Sequence, residues 1–147
     1  MYVFDLDQTL RDNTDSGHMV PEDMTRAENW IPWTKYVSER SPAIPRMITI
    51  YKALLNSGQR VIILTSSSMG TAKWLEINGI PEPDAIYERP LDCDLSPSAY
   101  KKQWIAENKE DIQLWVDDDP RVCEHVRSLD IDVLQVWLPD GHPLKQG

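Results

Sequence analysis

The sequence predicts an α/β fold, a doubly wound parallel sheet with helices on both faces. Short apolar runs alternate with segments of helical period along the whole chain. Strand–helix alternation of that kind closes into a parallel sheet. One run, Val61-Ile62-Ile63-Leu64, is continuously β-branched or apolar, as a strand buried on both faces must be. Acidic and hydroxyl residues follow the apolar runs at what become the carboxyl ends of strands, where ligands bind in such sheets.

The elements follow in order. Residues 2–6 read as a strand ending in Asp5-Leu6-Asp7. Residues 46–57 place Met47, Ile48, Tyr51, Leu54 and Leu55 at helical spacing, with Gly58 as the stop. Residues 61–64 are a strand, and residues 70–78 a helix closed by Gly79 and Pro81. Ala85-Ile86-Tyr87 is a short strand. Residues 97–108 form a helix with Pro97 at its start and Tyr100, Trp104 and Ile105 inward. Residues 112–116 are a strand. Residues 120–129 are a helix opened by Pro120, with Val122, Val126 and Leu129 on one face. Residues 131–137 are the last strand, and Pro139-Asp140-Gly141 turns into a loose tail over 139–147.

Length supports a single domain over residues 1–147, large enough for a real core. Residues 11–45 are polar, carry Pro21, Pro32, Pro42 and Pro45, and include Trp30 and Trp33. They hold one expected short helix near 22–30. They read either as a small lid over the strand ends or as an ordered excursion packing its two indoles on the domain. The formal net charge of −9 argues against a broad nucleic-acid-binding surface, which needs clustered Lys and Arg. Cys93 and Cys123 lack metal-ligand spacing, and a reduced, cytoplasmic protein is expected. A charge at residue 5 fits no signal peptide, and no apolar run is long enough to span a membrane.

Four features converge on the crevice beyond the strand ends: Asp5 with Asp7, Thr65 with Ser66, the run Asp117-Asp118-Asp119, and the pair Lys101-Lys102 on the preceding helix. Carboxylates gathered at one point repel unless a hard cation joins them, and oxygen ligands suit Mg²⁺. A cation and a lysine together accommodate a phosphoryl group. The hydroxyls and amides of Thr65-Ser66-Ser67-Ser68 can hold its remaining oxygens. One carboxylate can then attack phosphorus while a second carries the proton.

In this set, "FDLDQTL" resembles the first motif of haloacid dehalogenase superfamily phosphatases, the DxDxT pattern after a strand. "VIILTS" resembles the second motif, Lys101 the third and "LWVDDD" the fourth, all in the family's order. The stretches "TAKWLEINGI", "YERP", "YKKQWI", "VDDDPRV" and "VLQV" further resemble the 3′-phosphatase domain of bacteriophage polynucleotide kinases. There Arg89-Pro90 sets the register that favours Lys101 over Lys102. The resemblance implies a Rossmann-type fold with at most a small lid, and a Mg²⁺-dependent phosphomonoesterase working through an aspartyl-phosphate. It implies Asp5 as nucleophile and Asp7 as acid and base. Thr65 and Lys101 then bind the phosphoryl group. Mg²⁺ is held by Asp5, the Asp7 carbonyl, and Asp118 or Asp117. The implied substrate is a nucleic-acid 3′-phosphate, whereas the net charge of −9 and the lack of an arginine in the second motif point to a mononucleotide; Ser66 and Arg89 are candidates to bind either.

Three residues depart from the pattern. Gln8 stands where the family has Gly, Thr65-Ser66-Ser67 replaces a motif ending in Gly-Arg, and Pro97 replaces an acidic residue. Arg11 and Arg89 are candidates for the missing arginine. These departures motivate an alternative reading, a binding or regulatory protein that kept the fold and lost turnover. Plainer roles stand beside the functional ones. Thr65 suits a helix cap, Lys101 a solvated helix face, and Asp119 before Pro120 an N-cap. Trp74, Trp104, Trp115 and Trp137 suit packing, and His18, His125 and His142 the surface. Trp30 and Trp33 suit either packing or stacking on a base.

Overall fold

The computed structural model describes residues 1–137. Its five strands are β1 (Tyr2–Phe4), β2 (Val61–Thr65), β3 (Ala85–Glu88), β4 (Leu114–Asp117) and β5 (Val133–Gln135). Successive residues of a strand point to opposite faces, so a central strand must be apolar at every position. Phe4, Val61, Ile63 and Val116 enter one core layer, while Val3, Ile62, Leu64 and Trp115 enter the other. All pairings are parallel, in the order β3-β2-β1-β4-β5, with Val3 opposite Ile62 on one side and Trp115 on the other. The predicted doubly wound α/β sheet is therefore the observed one.

The described residues form five α-helices, α1 (Ile31–Arg40), α2 (Pro45–Asn56), α3 (Thr71–Ile77), α4 (Pro97–Asn108) and α5 (Pro120–Arg127); α2 to α5 cover the two faces and α1 packs outside them on α3. Met47, Ile48 and Tyr51 of α2 pack on the first layer with Trp74 and Leu75 of α3. Ile105 of α4 and Val122 and Val126 of α5 pack on the second. Tyr51 meets Phe4 edge-on at 5.6 Å and donates its hydroxyl to the Pro81 carbonyl at 2.7 Å. Burial pushes this phenol above its ordinary range, with Asp84 and Glu82 adding to the effect. Pro120 opens α5, and Asp119 caps it by accepting from the Arg121 amide at 2.9 Å.

The chain runs from β1 outward through β2 to β3, then returns to the other side of β1 for β4 and β5. The reversal opens a crevice at the carboxyl ends of β1 and β4, the usual ligand position in open α/β sheets. The Asp5 amide donates to the Val116 carbonyl at 2.8 Å, fixing the two strand ends side by side.

Several sequence expectations need correction. The helix expected near 22–30 is instead a 3-10 turn at Ala27–Trp30 followed by α1. The buried face of α1 is Trp33, Thr34, Val37 and Ser38, so half its stripe is hydroxyl and carries no apolar period. Pro32 sits in the first turn, where its missing N–H costs nothing. Trp137 is 67% exposed rather than buried in the core, and it lies beyond the end of edge strand β5. Strands predicted over 2–6, 112–116 and 131–137 begin or end within a few residues of β1, β4 and β5. The turn at 139–141, the tail and His142 fall outside the described residues. Both cysteines are free thiols, and burial pushes the Cys123 thiol up to about 12. No described helix is long and apolar enough to cross a membrane.

Candidate active site

The site is built on the turn that follows β1. The Leu6 carbonyl accepts from the amides of Thr9, Leu10 and Arg11 at 3.3, 2.9 and 3.2 Å, winding the chain tightly back. The turn needs one residue in the left-handed region, and Gln8 occupies it with φ 61°. This is the position at which the resembling family has Gly, and the backbone supplies the reason. Two bonds hold Gln8 there: its amide donates to the Arg11 carbonyl at 2.8 Å, and its Oε1 accepts from the Asn13 amide at 2.6 Å.

The turn returns Thr9 to Asp5 and Arg11 to Asp7. Asp5 is buried, and its Oδ1 pairs with Lys101 Nζ at 2.8 Å. The Thr9 hydroxyl lies 3.1 Å from Asp5 Oδ2 and 3.2 Å from Asp118 Oδ1, linking the end of β1 to the residue after β4. Lys101 also pairs with Asp117 Oδ2 at 2.9 Å. Asp117 accepts three more bonds, from Trp115 Nε1 at 3.2 Å and from the amides of Asp118 and Asp119 at 2.8 and 3.1 Å. Lys101 is buried on α4 while its neighbour Lys102 is exposed, in keeping with the register that separated them in sequence.

Asp7 is held differently. Its Oδ1 accepts from Arg11 Nε at 2.7 Å, pairs with Arg11 Nη2 at 2.7 Å and accepts from Asn13 Nδ2 at 2.8 Å. Its Oδ2 accepts from the Ser67 hydroxyl at 2.9 Å and from the Thr65 hydroxyl at 3.5 Å. Thr65 Oγ1 in turn accepts from the Ser67 amide at 3.0 Å, so the loop after β2 is wound on the same hydroxyl. Arg11 is fully buried, its guanidinium 5.8 Å from the Trp74 ring. Arg89 is also buried, donating to the carbonyls of Ser66 at 3.1 Å and Leu95 at 3.0 Å. Desolvation lowers its guanidinium below the ordinary arginine value.

These groups border one cleft, whose lining includes the polar Asp5, Asp7, Gln8, Ser66, Ser67, Arg89 and Lys101 and the apolar Trp30, Trp33, Pro97 and Val122. Thr65 lies just behind the lining. Arg11 is not part of the lining, so of the two candidate arginines Arg89 borders the cleft. Asp5, Asp117 and Asp118 each bring a carboxylate oxygen within 4.8 Å of the others. The Asp7 carboxylate lies outside this trio, facing Arg11. Three buried carboxylates meeting at one point, with Lys101 offsetting one charge, form an all-oxygen donor set that fits a hard divalent cation.

Thr9 and Asn13 received no role from sequence, and Ser67, expected to hold phosphoryl oxygens, instead donates to Asp7. Thr9 stands four residues after Asp5, a spacing that a tight turn converts into contact, and that signal was readable. Asn13 reaches Asp7 only through the irregular loop, and no periodicity marks it.

The chain shares its fold with several solved structures, one of them described as a haloacid dehalogenase-like hydrolase from Bacteroides fragilis. Among them, a chain of the Pnkp1/Rnl/Hen1 complex superposes with a TM-score of 0.70 at 20% identity, over 92% of this chain and 45% of that one. This protein therefore spans less than half the length of that neighbour. A dehalogenase gives 0.64 at 11% identity, over 90% of this chain and 82% of its own. The class C acid phosphatase from Bacillus anthracis gives 0.62 at 18% identity, over 94% and 66%. No family model and no curated protein sequence matches the chain.

Proposed function

We propose that the protein is a Mg²⁺-dependent phosphomonoesterase that forms an aspartyl-phosphate on Asp5, acting on a nucleic-acid 3′-phosphate or a mononucleotide. The observation that carries this reading is the setting of Asp5. It is a buried carboxylate bordering the cleft, gripped by Lys101 on one oxygen and Thr9 on the other, within the oxygen trio that suits a cation. The fold shared with phosphatases and the likeness to a chain of an RNA repair complex are consistent with it.

Asp5 and Asp118 would hold the ion, together with the Asp7 carbonyl. Asp117 is the weaker ligand of its pair, since its carboxylate already accepts four bonds. When bound, the ion screens the charge of the phosphoryl oxygens. Lys101 holds the Asp5 carboxylate in place and neutralises charge developing beside it. Asp5 attacks phosphorus, and the bond from phosphorus to the leaving oxygen breaks. Asp7 gives that oxygen its proton, then takes one from the water that hydrolyses the acyl phosphate. The Ser66 hydroxyl and the guanidinium of Arg89 border the cleft and supply donors for the substrate, while the hydroxyls of Thr65 and Ser67 hold the Asp7 carboxylate from behind.

One observation favours the second reading, a binding protein without turnover. Asp7 is tied to Arg11 by two guanidinium nitrogens, and an acid must leave that pairing to reach substrate. Phosphate release with Mg²⁺ from a 3′-phosphorylated oligonucleotide and a panel of mononucleotides separates the two. The enzyme reading predicts metal-dependent release that Asp5→Asn abolishes. Release from none of these substrates favours the binding protein.

A further inference from the structure

Beside the carboxylates, the lining of the cleft includes two indoles. They belong to Trp30 and Trp33, with ring centroids 5.2 Å apart at an interplanar angle of 87°. Each indole is pinned by its own N–H. Trp30 Nε1 donates to the Met24 carbonyl at 3.1 Å, and Trp33 Nε1 donates to the Ser16 hydroxyl at 3.0 Å. The rings are thus fixed before any ligand arrives, and their polar edges are already satisfied. Fixed aromatic surface binds planar groups at little ordering cost.

Gln8 borders the same cleft. Its Oε1 is committed to the Asn13 amide, which orients the side-chain amide and makes Nε2 the donor end. Nε2 is buried and meets no acceptor among the described residues. A buried donor left unpaired is costly, and a ligand acceptor would relieve it. The two features share a frame. Asn13 binds Gln8, the Asn13 carbonyl accepts from Ser16 Oγ at 2.6 Å, and Ser16 holds Trp33.

We infer that Trp30, Trp33 and Gln8 form a leaving-group subsite that takes a nucleobase, with an indole stacking on the ring and Gln8 Nε2 donating to a base acceptor. It rests on reading the cleft as a site for phosphoesters. An aliphatic leaving group would leave both the aromatic surface and the amide donor unused. A base offers a planar face and carbonyl or ring-nitrogen acceptors together. The base belongs either to a free nucleotide or to the terminal residue of a polymer.

Calorimetric titration without divalent metal tests this apart from catalysis, using inorganic phosphate, thymidine 3′-monophosphate and a 3′-phosphorylated oligodeoxynucleotide as probes. The wild type should bind thymidine 3′-monophosphate about tenfold or more tighter than inorganic phosphate. Trp30→Ala should remove most of that advantage and Trp30→Phe should keep it, with circular dichroism confirming that both variants fold. Tighter binding of the free nucleotide than of the oligonucleotide assigns the subsite to small substrates, and the reverse assigns it to polymer ends. No advantage in the wild type, or an advantage undiminished in Trp30→Ala, overturns the subsite. Mg²⁺-dependent release of phosphate from thymidine 3′-monophosphate and from the 3′-phosphorylated oligodeoxynucleotide is measured alongside. Its absence from both counts against the phosphatase reading and leaves the binding result standing.

Discussion

Gln8 shows how a backbone requirement and a side-chain role can occupy one residue. The turn after β1 demands φ near 60°, and a residue with a Cβ pays roughly 1–2 kcal/mol there. The bond from the Asn13 amide offsets part of that strain. Gln8→Ala keeps the Cβ and loses the bond, whereas Gln8→Gly loses both. We therefore expect Gln8→Gly to be more stable than Gln8→Ala by about 1 kcal/mol in urea unfolding. Equal midpoints would remove the strain argument. Thr9 offers a second test. Its hydroxyl lies between Asp5 and Asp118, so Thr9→Ala should lower phosphate release by about 10- to 100-fold while the fold survives. Unchanged release would mean the two carboxylates need no bridge. Asp5, Asp7, Thr65 and Lys101 were legible because each follows or faces a strand end. The Arg11–Asp7 pairing was not, because sequence spacing does not reveal which carboxylate a turn will serve.

At the scale of elements, contacts between α1 and α3 hold the loop region to the sheet. Gly70 precedes α3 with φ 85°, and a Cβ there would lie 2.2 Å from Ser38 Oγ and 2.9 Å from Ser38 Cβ of α1. Gly70→Ala should destabilise the protein by about 1–3 kcal/mol, measured by urea unfolding. A neutral effect would mean α1 is free to shift. The same helix marks where sequence reading ran out. Central strands announce themselves because both faces are apolar, α2 because its apolar residues recur at helical spacing, and α4 and α5 because apolar spacing and Pro at the start agree. α1 buries Thr34 and Ser38 against its neighbours, so its inward face looks like loop. Two of the residues bordering the cleft, Trp30 and Trp33, therefore lie in a region whose sequence did not reveal its structure.

At the scale of the whole molecule, stability should respond to metal and to pH in separable ways. A divalent ion held by Asp5 and Asp118 would bind the folded chain and not the unfolded one. Millimolar Mg²⁺ should then raise the unfolding temperature, and Asp118→Asn should abolish the rise. An equal rise in both proteins would place the ion elsewhere. Tyr51 governs part of the alkaline limit. Its folded phenol titrates above the unfolded value of 10.0. The folded state thus keeps a proton that the unfolded state gives up, and stability falls as pH climbs past 10. Tyr51→Phe should cost about 1 kcal/mol near neutrality through its lost bond to Pro81 and show a shallower decline above pH 10. Parallel declines would exclude Tyr51 from that limit. The central claim is that Asp5 becomes phosphorylated, and reductive trapping reads it most directly. Borohydride added during turnover with Mg²⁺ and thymidine 3′-monophosphate should convert Asp5 to homoserine, found by peptide mass spectrometry only when substrate and metal are both present. Phosphate release that proceeds with Asp5 unmodified, or that persists in Asp5→Asn, would contradict the account.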